Sequence, residues 1–119
     1  MKGPMKVPKK KAIETLKREE FNRVYNKGLF FANKHLVIYI LKRKKDNSNV
    51  YGISVSKKVG KAVVRNRIRR LIKESLRLIQ HDIKMGHSII IVARNPEKKN
   101  FKEMDITLKK LLKKANMLL

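Results

Sequence analysis

The stretch VVRNRIRRLIKE, residues 63–74, sets Arg65, Asn66, Arg67, Arg69, Arg70 and Lys73 among apolar residues that recur at three- and four-residue steps. A guanidinium is a planar fork that pairs two phosphate oxygens at once, whereas a lysine ammonium is a point charge suited to general attraction. Lysine outnumbers arginine by 23 to 9 over the whole chain, yet five of the nine arginines lie between residues 65 and 77. Arginine is concentrated where phosphate geometry could be recognised. The plainer reading of the same pattern is a solvated helix face that keeps the protein soluble, and charge alone leaves both open. At about 100° per residue, Val64, Ile68, Leu71, Ile72, Ser75, Leu76, Leu78 and Ile79 share one arc, which predicts a buried face. Asn66, Arg69, Arg70, Lys73 and Arg77 fall opposite it, and Arg65 and Arg67 stand at its two margins, where a long stem can lie on the core and present its charge at the edge.

Just upstream, Ser54, Ser56, Lys57 and Lys58 occupy the end of an apolar strand pattern before this helix begins. Backbone N–H groups and lysines at a helix N-terminus favour an anion. The segment SKKVGKA is not a nucleotide-cradling loop, since it has one glycine and no Ser or Thr after the lysine, so nucleotide hydrolysis is unsupported. A second group is aromatic. Phe21 and Tyr25 are one helical turn apart, and Val37 and Tyr39 alternate onto the side opposite Leu36, Ile38 and Ile40. A helix lying beside that strand would make a shallow ring-lined groove among cations. Such a groove suits single-stranded RNA, whose bases stack on rings for about 1–3 kcal/mol each with little sequence demand. On spacing alone, Phe21 fits a core position better than a groove lining, and Tyr39 fits either.

Catalytic groups are not evident. The nine acids (Glu14, Glu19, Glu20, Asp46, Glu74, Asp82, Glu97, Glu103 and Asp105) are scattered, whereas a two-metal nuclease needs several that converge. His35, His81 and His87 fall at the edges of predicted elements and read as ordinary surface histidines. With no cysteine, disulfides, thiolate nucleophiles and Cys-based zinc sites are excluded. No catalytic residue and no metal ligand is assigned to the chain.

The elements that must position these groups follow from period and punctuation. The chain of 119 residues fits one domain, and its formal charge of +23 calls for a polyanionic partner, with nucleic acid the first choice. Its longest apolar runs fall far short of the roughly 20 residues a membrane-spanning helix needs, and the N-terminus lacks the apolar core of a secretion signal, so a cytoplasmic location is expected. Residues 1–12 read as a flexible basic arm and 13–119 as a single RNA-binding domain. Helical spacing over 16–27 ends at Gly28, where a left-handed cap is expected. Strands are predicted at 29–32, 35–43 and 50–56, a meander by their order, then a helix over about 59–80. A strand at 87–94 is closed by Asn95-Pro96. A last helix over 101–116 carries Asn100 as N-cap and Glu103 at the third position, a capping box. The order αβββαβα predicts an α/β (α+β) two-layer sandwich. The last helix also has Leu108, Leu111, Leu112 and Ala115 on one side and lysines on another, which fits packing on a sheet and an interfacial membrane helix equally well.

The run Ser54–Arg70, SVSKKVGKAVVRNRIRR, resembles the signature of the bacterial ribonuclease P protein subunit, with Arg65, Asn66 and Arg67 as its Arg-Asn-Arg core. FNRVYNKG (21–28) resembles the family's first helix, LVIYIL (36–41) its long strand and IIIVAR (89–94) the strand after the basic helix, so about residues 16–116 are covered. The arm is richer in Lys and Pro than the family pattern, and Lys61 stands where relatives often have asparagine. The resemblance implies a four-stranded mixed sheet with a left-handed βαβ crossover. It implies a cleft that contacts the single-stranded 5′ leader of precursor tRNA through Phe21, Tyr25, Val37, Tyr39, Ser54, Ser56, Lys57 and Lys58. It also implies a face toward the catalytic RNA made by Arg65, Asn66, Arg67, Arg69, Arg70 and Lys73. The activity implied is endonucleolytic removal of the leader by a ribonucleoprotein, with the catalytic centre and most of its Mg2+ in the RNA. A structural RNA-binding protein, such as a ribosomal protein, is the alternative that the same charge would serve.

Overall fold

The computed structural model describes residues 12–44, 47–94 and 100–119. Helix α1 (Arg18–Lys27) is followed by strands β1 (Leu29–Ala32), β2 (Leu36–Lys42) and β3 (Val50–Val55). A short 3-10 turn at Lys57–Val59 leads into α2 (Ala62–Ile79), and β4 (His87–Ala93) and α3 (Phe101–Lys114) complete the order. The strands form one mixed sheet in the order β1-β2-β4-β3. β4 runs antiparallel to β2 and parallel to β3, so β3, α2 and β4 make a βαβ unit between neighbouring strands. The expected meander is therefore not formed. β4 is apolar on both faces, with Ile89, Ile90 and Ile91 wholly buried, and a strand of that kind belongs in the middle of a sheet covered on both sides. It takes the place beside β2 that a meander would give to β3.

One face of the sheet and the pair α2, α3 make the two-layer body. Leu36, Ile38, Ile40, Ile89 and Ile91 meet Ile68, Ile72 and Leu76 of α2 and Met104, Leu108, Leu111 and Leu112 of α3 in one core. The apolar side of α3 is thus consumed by the sheet and α2, which removes the surface an interfacial membrane helix would need. Among the described residues no helix is long and apolar enough to cross a membrane. The opposite face carries a smaller cluster, Leu16, Val24, Val50 and Ile90, beneath α1. α1 covers only part of that face.

Both chain ends of the described domain are tied down by backbone pairing. Leu16 N–H donates to Tyr51 C=O at 2.9 Å and Tyr51 N–H to Glu14 C=O at 2.8 Å, which covers part of the β3 edge. This pairing holds Leu16 outside the helix, so α1 starts at Arg18, two residues later than its spacing suggests. At the other end Lys84 N–H donates to Met117 C=O at 2.7 Å. The Asn100 cap is as expected: its Oδ1 accepts from Glu103 N–H at 2.8 Å, and its own N–H donates to Glu103 Oε1 at 3.1 Å. Gly28 departs from expectation, since its φ of −76° and ψ of 156° are extended rather than left-handed. Glycine is needed there for a different reason: a Cβ would lie 2.6 Å from the Val24 carbonyl oxygen and 2.9 Å from that of Ile40. The α2 helix begins three residues later than expected because Lys57–Val59 winds as a separate 3-10 turn. The Asn95-Pro96 stop, and all of the basic arm except Ala12, lie outside the described residues.

Candidate nucleic-acid interface

The cations of α2 divide by what holds them. Arg65 is half-buried and its Nε donates to the Gly60 carbonyl at 3.1 Å, which fixes the guanidinium beside the turn that enters the helix. Arg67, at the other margin of the apolar arc, is exposed, so its position lends the core little cover. Asn66, Arg70 and Lys73 are exposed as well, and Arg69 Nη1 donates to Asn66 Oδ1 at 2.7 Å, one turn back. Arg77 is engaged differently. Its Nε and Nη2 donate to the two carboxylate oxygens of Glu74 at 3.0 and 2.7 Å, a bidentate pair that holds Glu74 below and Arg77 above their ordinary pKa values. Arg77 therefore faces an acid of its own chain. Val63, Asn66, Arg69, Arg70 and Lys73 line a shallow recess of about 480 Å3. Val63 is 79% exposed at its edge; at about 100° per residue it falls between Arg70 and Arg67, and a lone apolar residue on the charged side gives no signal of a binding role.

The second surface is built by strand register. Val37, Val92 and Ser54 stand side by side across β2, β4 and β3, and the next row is Phe30, Tyr39, Ile90 and Gly52 across β1, β2, β4 and β3. Phe21 of α1 lies over Gly52, where a Cβ would come within 2.4 Å of the Phe21 ring. A side chain at position 52 would force the ring to shift. Phe21 is half-buried against the smaller core, in keeping with its spacing, and its ring centroid is 6.2 Å from that of Tyr25. Tyr25 meets Tyr39 edge-on at 4.8 Å, and Tyr39 meets Phe30 at 5.9 Å. Burial raises the Tyr25 phenol pKa, partly offset by its side-chain hydrogen bond with Ser54. Tyr25 is nonetheless 37% exposed, and Tyr39, Val37 and Val92 are half-buried on the side that α1 leaves open.

Phe21, Tyr25, Val37, Tyr39 and Ser54 are thus brought together on one face. Ser56 serves the backbone instead, since its Oγ accepts from Lys58 N–H at 3.2 Å and caps the 3-10 turn. Lys57 and Lys58 are exposed on that turn, at the end of β3 and between the two surfaces in the chain. Phe30 and Val92 were missed from the sequence, because their place depends on pairing β1 with β2 and β2 with β4, which spacing within one strand does not reveal. Among the described residues no group of three or more His, Asp or Glu converges as a metal ion would require. The arrangement can bind phosphates on one side and stack flat rings on the other.

A parallel βαβ unit whose crossover helix carries an Arg-Asn-Arg core, set on a mixed sheet with rings on its open face, defines a class of small, strongly cationic α+β proteins. The family model for ribonuclease P matches residues 9–116. The ribonuclease P protein component of Clostridioides difficile is 54% identical over 103 residues, spanning 85% of this chain and 90% of that one. The solved structure of the Staphylococcus aureus RNase P protein superposes with a TM-score of 0.81 at 36% identity, covering 92% of this chain and 100% of that chain. The RNase P protein from Thermotoga maritima gives 0.77 at 28% identity, covering 85% and 96%. The chain belongs to the ribonuclease P protein family.

Proposed function

We propose that this chain is the cytoplasmic protein subunit of a ribonuclease P ribonucleoprotein, which removes the 5′ leader of precursor tRNA. In this reading Arg65, Asn66, Arg67, Arg69, Arg70 and Lys73 hold the catalytic RNA. The face formed by Phe21, Tyr25, Val37, Tyr39 and Ser54, with Ser56, Lys57 and Lys58 at its end, holds the single-stranded leader. The observation that carries the reading is the separation of the two chemistries in a member of this family: guanidinium groups on the outer side of α2, rings on the open side of the sheet. Leader nucleotides are unpaired, so their bases offer flat faces to the rings, and neutralising their phosphates releases counterions. Mature tRNA lacks the leader. A grip on the leader therefore favours substrate over product without touching the scissile bond, and lets the product leave.

Hydrolysis in this reading belongs to the RNA, and the Mg2+ ions it uses are held mainly there. No step is assigned to a protein-held metal. The test is reconstitution. Adding the chain to the catalytic RNA should speed cleavage of precursor tRNA, most strongly at low Mg2+, with a gain that grows over the first few leader nucleotides and then stops. A structural RNA binder of the ribosomal kind would leave turnover unchanged, and cleavage by the purified chain alone would overturn the reading.

A further inference from the structure

The open face of the sheet ends in a ring that the core does not explain. Phe30 lies on the edge strand β1 and is 65% exposed, although large apolar side chains are normally drawn inside. Strand alternation sends Leu29 and Phe31 to the other face, where Phe31 packs on the main core, so Phe30 and Leu29 do not form one apolar patch. Its neighbour is Tyr39, its register partner, with ring centroids 5.9 Å apart and planes at 36°. Rings at that distance are in direct contact. A base cannot enter between them, but the outer side of Phe30 is open to receive one.

We infer that Phe30 is a further stacking platform, which carries the groove across the edge of the sheet and takes the base of one more unpaired leader nucleotide beyond those at Tyr25 and Tyr39. The inference rests on the leader-binding reading given above. Charge complementarity favours a nucleic acid as occupant: the chain carries +23, and Phe30 continues by ring contact a series that begins at Phe21. A single strand is required, because the bases of a duplex already stack on one another. A phenyl ring offers no hydrogen-bonding group, so any preference at this position follows stacking area and favours a purine.

The experiment measures binding of precursor tRNAs, with leaders lengthened one nucleotide at a time, to holoenzyme containing wild-type chain, Phe30→Ala, Phe30→Trp or Tyr39→Ala. Phe30→Ala should bind mature tRNA and short leaders as wild type does, then fall about five-fold or more behind once the outermost base is present. Phe30→Trp should restore that increment, and a purine at the position should bind tighter than a pyrimidine. The inference is overturned if Phe30→Ala matches wild type at every length, or is equally weak at every length including mature tRNA. It is also overturned if Phe30→Ala dissociates a protein dimer while leader binding stands. In each of these cases a leader-dependent loss in Tyr39→Ala keeps the groove itself. If neither variant alters the preference for precursor over mature tRNA, the groove and its extension fall together.

Discussion

The outer side of α2 and the open side of the sheet meet RNA in the proposed complex by unlike means. On α2 the binding groups are guanidinium and ammonium ions projecting from consecutive turns of one helix, and their attraction to phosphate weakens steeply as salt rises. On the sheet the distinctive groups are rings from three separate elements, α1, β1 and β2, whose stacking answers to unpaired bases, while the lysines at the end of that face add an attraction to phosphate that salt also weakens. Holding a partner RNA and sensing whether a substrate has a leader make different demands on a surface. The first needs strength, the second needs a response to unpaired bases and indifference to mature product.

The largest effect is expected from replacing both Arg65 and Arg67 with alanine. Binding to the catalytic RNA should fall by at least about ten-fold, and the slope of affinity against salt should flatten by about one unit for each phosphate no longer neutralised. Titrations at several salt concentrations check this. Tyr39→Ala comes next. It should lower the preference for precursor over mature tRNA by about five-fold or more while leaving affinity for the catalytic RNA and its salt slope unchanged.

Gly52→Ala joins the comparison through packing. The added methyl meets the Phe21 ring at 2.4 Å, and a forced shift of that kind costs about 1–3 kcal/mol of stability. The melting temperature should drop, and leader discrimination should weaken because Phe21 supports Tyr25. Phe21→Leu combined with Gly52→Ala should regain stability without regaining discrimination. Arg77→Ala is the smallest. Arg77 already faces the Glu74 carboxylate on an exposed turn, so its loss should change affinity for the catalytic RNA by no more than about two-fold. A loss as large as that at Arg65 would erase the distinction between arginines that face RNA and one that faces its own chain.

The two regions also differ in how far the sequence disclosed them. The α2 surface was readable because a helix writes its faces into local spacing: Ile68, Ile72, Ser75, Leu76 and Ile79 are buried as the arc required, and Asn66, Arg70 and Lys73 are exposed. Arg65 and Arg67 occupy equivalent margins on paper and differ in fact, since only Arg65 meets the Gly60 carbonyl. The sheet face was half readable. Alternation placed Val37 and Tyr39 on one side correctly, but it says nothing about neighbours. The insertion of β4 between β2 and β3 turned the expected meander into a parallel pair, and it brought Val92 and Ser54 into one row with Val37. Phe30 was passed over for the same reason. Gly28 shows a subtler limit: its need for glycine was visible, but the cause, a close approach of the Val24 and Ile40 carbonyls, is a tertiary fact.

The most direct test compares Arg65→Ala/Arg67→Ala and Tyr39→Ala in two assays run side by side, affinity for the catalytic RNA alone and the ratio of precursor to mature tRNA affinity in the holoenzyme. Crossed results are expected: the arginine variant fails in the first and, at saturating protein, keeps the ratio, whereas the tyrosine variant passes the first and loses the ratio. Equal losses by both variants in both assays would contradict a division of the molecule into two RNA-binding surfaces.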